Sequence, residues 1–140
     1  MQQPEQVPEG FERHLRQSPV TNPWEPLWSR QDEDGLTIGF HVREAHCNAR
    51  GLLHGGVTSS LADNAMGLAC ADASDGARGL LTVHLSVDYL GSATVGQWVE
   101  VRARPRRVGG SLAHAHGEVL ADGETVATAS AVFKVVRAKG

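Results

Sequence analysis

The twenty residues HGGVTSSLADNAMGLACADA, His54 to Ala73, decide how this chain of 140 residues folds. Val57, Leu61, Ala65 and Leu68 recur three or four apart, the spacing of one stripe on an α-helix, so a helix is predicted over Gly55–Ala73. At 1.5 Å per residue it is roughly 30 Å long. Its content is unusual for that length: Gly55, Gly56, Ala62, Ala65, Gly67, Ala69, Cys70 and Ala71 leave little bulk on any face. A neighbouring element can approach such a helix closely on several sides.

Beyond the turn Ser74-Asp75-Gly76, four segments carry strand-like composition, at 80–89, 98–108, 112–120 and 125–136. Apolar and charged residues alternate in Val99-Glu100-Val101-Arg102-Ala103-Arg104, and the short Gly-containing connections favour an antiparallel meander. Upstream, Gln31-Asp32-Glu33-Asp34-Gly35 separates residues 27–30 from 36–42 and reads as a hairpin turn. The fold class is therefore α+β, one long helix against one long antiparallel sheet. Residues 1–30 read as an N-terminal arm, with a short helix over 9–17 and with Pro19, Pro23 and Pro26 limiting regular structure after it. Residues 31–140 form the one domain that this length accommodates. Trp24 and Trp28 sit in the arm and are expected to cover the core, because tryptophan carries a large apolar surface.

Composition narrows the function by exclusion. With 41% hydrophobic and 21% charged residues, the chain is an ordinary globular one rather than disordered or collagenous. A formal charge of −3 is too mild for a general nucleic-acid binder. No apolar run reaches the roughly 18–20 residues that cross a bilayer, and the first residues lack a basic start followed by an apolar stretch, so a cytoplasmic location is expected. The two cysteines, Cys47 and Cys70, form no CxxC pair and read as free thiols in a reducing compartment.

The chemistry concentrates at the start of the helix, in Asn48-Ala49-Arg50-Gly51-Leu52-Leu53-His54-Gly55-Gly56, and at Asp63. The first amides of a helix lack internal partners and stand at the positive end of its dipole, so bare glycines there leave N–H groups free for an oxyanion. Asp63 shares its helix face with Ser59, Ser60, Gly67 and Cys70 rather than with the apolar stripe, a near-buried carboxylate among small residues. Four arginines, Arg102, Arg104, Arg106 and Arg107, precede Gly109-Gly110-Ser111 and offer guanidinium forks and backbone donors to phosphate. Other signals carry less. His114 and His116 share a strand face without a third metal ligand, so no metal is expected. Cys47 has no identifiable basic partner, and the chain contains no GxSxG, GxxxxGK[ST] or GxGxxG pattern.

Four motifs stand out together: Asn48-x-x-Gly51-x-x-His54-Gly55-Gly56, Leu61-Ala62-Asp63, the run from Thr82 to Leu90, and the run from Asp122 to Ala129. In combination they resemble the hotdog-fold acyl-CoA thioesterases, in the branch of the phenylacetyl-CoA and 4-hydroxybenzoyl-CoA enzymes. The resemblance covers roughly residues 30–137 and implies a five- or six-stranded antiparallel sheet wrapped around one central helix. It further implies a homodimer or a dimer of dimers with active sites shared between subunits. In that family pattern Gly55 offers its N–H to the thioester carbonyl, and Asp63 comes from the partner subunit as base or nucleophile. Asn48 and His54 orient water or substrate, Thr82 assists the carboxylate, and Gly56, Arg106, Arg107 and Ser111 hold the coenzyme A part. Coenzyme A enters as part of the substrate, and no cofactor is implied. The expected activity is hydrolysis of an aromatic or medium-chain acyl-CoA to free acid and coenzyme A, with Met66, Cys70, Trp24 and Trp28 expected among the walls of the acyl pocket. The competing expectations are a non-catalytic acyl-CoA sensor, which would not need Asp63, and a hotdog hydratase or dehydratase, which would want a catalytic histidine on the helix.

Overall fold

Helix α1 (Gly55–Ala73) begins and ends where the apolar spacing places it, and it is the only α-helix among the described residues, 6–74 and 77–137, of this computed structural model. The predicted turn at Asp75 and Gly76 lies outside them. Among the described residues no helix is long and apolar enough to cross a membrane. Around α1 run β1 (Glu12–Arg13), β2 (Trp28–Asp32), β3 (Gly35–His41), β4 (Ala77–Tyr89), β5 (Trp98–Val108), β6 (Leu112–Ala121) and β7 (Glu124–Arg137). All pair antiparallel in one sheet of order β1-β2-β3-β5-β6-β7-β4. The hairpin at 31–35 is present as β2 and β3, and Asp122-Gly123, both at positive φ, make the tight turn between β6 and β7.

Three expectations are corrected. The sheet has seven strands rather than five or six, because the arm contributes β1. The short helix over 9–17 is absent. Pro8 and a Gly10 at φ +92° turn the chain there, Phe11 packs edge-on against Trp98 with centroids 5.2 Å apart, and His14 N–H donates to the Leu27 carbonyl at 2.9 Å. The meander holds for β5, β6 and β7, but β4 lies beyond β7 at the sheet edge. The connection after β4 crosses the start of α1 instead of turning tightly: Leu90 donates to Val126, and the Ala93 carbonyl accepts from Leu53.

The helix sits on a sheet face that is nearly bare. Ala103, Ala113, Ala115, Gly117, Ala127, Ala129 and Ala131 are buried there, opposite Leu61, Ala62, Ala65, Met66, Ala69 and Cys70 of α1. Bulkier groups, Ile38, Phe40, Val99, Val101 and Phe133, fill the periphery of this core. Trp24 is half-buried against the core as expected, and Trp28 is half-buried beneath the Arg13 guanidinium, 5.4 Å from the ring centroid.

Strand β4 carries the irregularity that matters for the site. Thr82 pairs with Phe133 and His84 with Val132, so Val83 is an extra residue in the ladder. A bulge of one residue reverses which face the later side chains occupy. Leu80 and Thr82 therefore face α1, and so do Leu85, Val87 and Tyr89, which regular alternation would have put on the opposite face from Thr82.

Two buried histidines tie the arm and the pre-helix loop to this frame. His46 accepts from Arg43 N–H at 2.9 Å through Nδ1, while Nε2 lies 3.0 Å from the Trp24 carbonyl, so the neutral tautomer with the proton on Nε2 satisfies both contacts. His14 is buried with Nε2 unpartnered. Burial holds both imidazoles below their ordinary value near 6.5. Arg43 adds to this at His46 and Arg16 at His14, against opposing effects of the Trp24 carbonyl and of Glu25. The unfolded chain then binds more protons, so stability is full above about pH 6.5 and is lost progressively as pH falls below it. Melting temperature should drop between pH 7.5 and pH 5.5, and it should drop less in His14→Leu; an equal drop in both proteins would contradict this assignment for His14.

Candidate functional site

The loop before α1 is built on Asn48. Its side-chain oxygen accepts from the backbone N–H of Arg50 at 2.9 Å and of Leu52 at 3.2 Å, a local turn that leaves the amide nitrogen without a partner among the described residues. The chain then passes through Gly51 at φ +78° and reaches His54, whose N–H donates to the buried His46 carbonyl at 2.9 Å. His54 is the N-cap of α1: its Nδ1 accepts from Gly56 N–H at 2.8 Å. The Val57 and Thr58 amides turn back to the His54 carbonyl. Of the two glycine donors expected at this end, Gly56 is thus occupied by the capping imidazole. Gly55 N–H has no acceptor among the described residues and stands at the positive end of the helix dipole.

Tyr89 closes this end of the site, although the sequence reading did not single it out. Its hydroxyl donates to the Gly55 carbonyl, and a Cβ on Gly55 would lie 3.4 Å from the phenol ring. Glycine therefore lets the ring lie directly over the helix start. The signal that would have found Tyr89 is the β4 bulge, which the sequence does not display.

Asp63 lies eight residues beyond Gly55, about 12 Å along the helix axis. Thr82 Oγ1 donates to its Oδ1 at 2.8 Å, so the hydroxyl that the resemblance set beside the carboxylate is bonded to it. Oδ2 has no partner among the described residues. Beside this pair a groove of about 230 Å³ opens between α1 and β4. Asn64, Gly67, Leu68 and Ala71 form one wall, Gly79, Leu80 and Phe133 the other, and Arg16 of the arm reaches in. Gly67 keeps it open, since a Cβ there would already be 3.5 Å from the Phe133 ring. Met66, Cys70, Trp24 and Trp28, the walls that the sequence suggested, do not line it: Met66 and Cys70 are wholly buried in the core.

The arginine cluster lies elsewhere. Arg102, Arg104 and Arg106 line a cleft of about 400 Å³ on the sheet face away from α1, together with Ser86, Asp88, His116 and Glu118. Arg102 is held by Glu100 at 3.0 Å and Arg104 by Asp34 at 3.1 Å, which fits their expected role as strand-face charges. Arg106 and Arg107 are exposed and unpartnered among the described residues, and exposed Ser111 stands in the turn that follows. The structure does not bring these three next to Gly55 or Asp63 of the same chain. Cys47 and Cys70 are free thiols, and burial raises both, Cys70 to about 11. Neither is a ready nucleophile.

Comparison with known proteins gives the same picture. The family described as the thioesterase superfamily matches residues 50–128. An esterase of Pseudomonas aeruginosa, so named provisionally, is 38% identical over 128 residues, 91% of this chain and 96% of that one. Human acyl-coenzyme A thioesterase 13 is 36% identical over 72 residues, 51% of each chain. Among solved structures, zebrafish thioesterase superfamily member 2 superimposes with a TM-score of 0.72 at 25% identity, over 78% of this chain and 80% of the other.

The cap makes a direct test of the helix start. His54→Ala should cost about 0.5–2 kcal/mol of stability, and His54→Asn, which restores a side-chain acceptor, should recover most of it. Denaturant melts of the three proteins check this, and equal stability of His54→Ala and the parent would deny His54 its capping role.

Proposed function

We propose, from the premise that the chain belongs to the thioesterase superfamily and is a thioester hydrolase, that it cleaves aromatic or medium-chain acyl-CoA at a site two copies share. The observation that carries this reading is the pairing of Asp63 with Thr82 beside a groove that has Leu68, Leu80 and Phe133 in its walls, on the same helix whose first glycine amide is unpaired among the described residues. A thioester carbonyl needs a donor about 3 Å from its developing oxyanion and a carboxylate close to its carbon. Gly55 and Asp63 of one chain stand about 12 Å apart along a rigid helix, too far to serve one carbonyl. A second copy solves this: Gly55 of one chain meets Asp63 of the other, twice over by two-fold symmetry.

The sheet edge supports that assembly. Strand β4 has one unpaired edge and exposes Leu81 and Val83, with Tyr89 and Leu90 at its end, an apolar strip that monomers normally blunt with charges. With two chains joined there, the acyl carbonyl accepts from Gly55 N–H, with Tyr89 steadying the glycine. Thr82 holds Oδ1 of Asp63, and Oδ2 takes the proton of a water that attacks the carbonyl carbon. Collapse of the tetrahedral intermediate breaks the C–S bond and releases the acid and coenzyme A. Asn48 and His54 flank the donor and orient the substrate. Arg106, Arg107 and Ser111 are assigned to the coenzyme A part, the two arginines because their forks are free for phosphate, while Gly56, whose N–H is held by His54, can only border that part.

The test is release of free coenzyme A from acetyl, hexanoyl, decanoyl, palmitoyl, benzoyl and phenylacetyl thioesters, with Asp63→Asn beside the parent. One aromatic or medium-chain thioester should lead, and Asp63→Asn should lose at least about a hundredfold in kcat, the scale of an acid–base group. Equal rates across the panel would refute the substrate class, and full activity of Asp63→Asn would refute the site.

A further inference from the structure

We infer that the groove beside Asp63 selects acyl groups ending in a carboxylate, and that Arg16 of the N-terminal arm reads that end; the inference rests on the hydrolysis proposed above. Arg16 lines the groove, yet its guanidinium has no hydrogen-bond or ion-pair partner among the described residues. Arg13, Arg30, Arg102 and Arg104 each have a carboxylate oxygen within 3.4 Å, whereas Arg16, like the exposed Arg106 and Arg107, has none, and of these three it is Arg16 that lines the groove. The loop bearing it leaves the sheet at His14, whose N–H donates to the Leu27 carbonyl, and turns on itself at Ser18 and the buried Thr21. That path brings the exposed Arg16 to the groove.

Its position along the groove follows from the helix. Arg16 and Leu68 also border the adjoining hollow that holds His14 and Asp72, so Arg16 stands at the Leu68 end. Leu68 and Ala71 are five and eight residues beyond Asp63, a rise of about 7.5 to 12 Å. With the thioester carbonyl at Asp63, that span suits a medium-length chain or an aromatic ring with a para substituent. Between the ends the walls are apolar or bare, with Leu80 and Phe133 facing Gly67 and Leu68. A tail ending in methyl would strip water from the guanidinium and give it nothing in return, whereas a carboxylate forms a charge-assisted, potentially bidentate pair. The phosphates of coenzyme A do not fit this place, because reaching it would carry them past the Asp63 carboxylate and along an apolar wall.

The experiment compares thioesters matched in length: adipoyl against hexanoyl, and 4-carboxybenzoyl against 4-methylbenzoyl. The parent should favour the carboxylated member in kcat/KM, and Arg16→Gln should cut that preference by on the order of tenfold to a hundredfold, the worth of a hydrogen bond to a charged group. Arg16→Glu should invert it. Two results would overturn the inference: a preference that Arg16→Gln leaves intact, or a loss shared equally by both members of a pair, which would put Arg16 on the coenzyme A part. If the parent hydrolyses no thioester, the proposed function fails by itself. Calorimetric binding of the corresponding carboxyalkyl and alkyl thioethers of coenzyme A then still decides for or against Arg16 by the same ratio.

Discussion

The sheet closes on α1 because almost nothing stands between them. Six alanines and Gly117 on one side meet Ala62, Ala65 and Ala69 on the other, and Leu61 and Met66 are the long side chains of α1 buried between them, the Met66 sulfur 3.5 Å from where a Gly117 Cβ would be. Interiors are packed at crystal-like density, so each added methylene at such a contact forces backbone apart and costs about 1–3 kcal/mol. The close approach fixes function as well as stability. It brings β4 near enough for a threonine hydroxyl, on a short side chain, to reach a helical aspartate at 2.8 Å. A sheet held off by leucines would leave Asp63 to water.

The bulge at Val83 is the second half of that constraint. Thr82 and Tyr89 are seven residues apart, an odd interval that a regular strand assigns to opposite faces. One extra residue puts both toward α1, so a single strand attends to the carboxylate and to the helix start at once. Leu81, which alternation turns away from α1, and the extra residue Val83 are both exposed on the strand that forms this sheet edge. The edge is suited to a second copy of the chain, next to the strand that attends to the carboxylate.

Much of this was legible in the sequence because periodicity is local. The helix bounds agree residue for residue, β5 agrees likewise, and the remaining long strands differ only by a few terminal residues. The Asn48–Gly56 motif and Asp63 were legible because glycine and aspartate are uncommon where a helix begins and where it is packed. What was not legible depends on pairing. The place of β4 beyond β7, the bulge, and the strand in the arm are set by which backbone meets which, and short connections alone suggested a plain meander. The groove walls failed for a related reason: Met66 and Cys70 share the helix with Gly67 and Leu68, and only the direction of the sheet shows which pair is sealed in the core. His54 hid its capping role behind its place in a motif, so Gly56 read as a free donor when its N–H is taken.

The separation of Gly55 from Asp63 gives the proposed enzyme a property of its own. Both groups ride on one helix that is packed along its length, so no loop motion brings them together, and the only adjustable distance is the one between chains. Substrate selectivity then divides differently from chemistry. Asp63, Thr82 and Arg16 border one groove of one chain, whereas the proposed function draws the oxyanion donor from the other. In the proposed assembly, changes to the acyl end can accumulate on the arm without disturbing the donor, because Arg16 lines the groove beside Asp63 and not the helix start at Gly55. The helix and sheet are constrained by packing to stay nearly as they are; the arm, which adds only a two-residue strand to the far edge of the sheet, is where such a fold has freedom to change what it accepts.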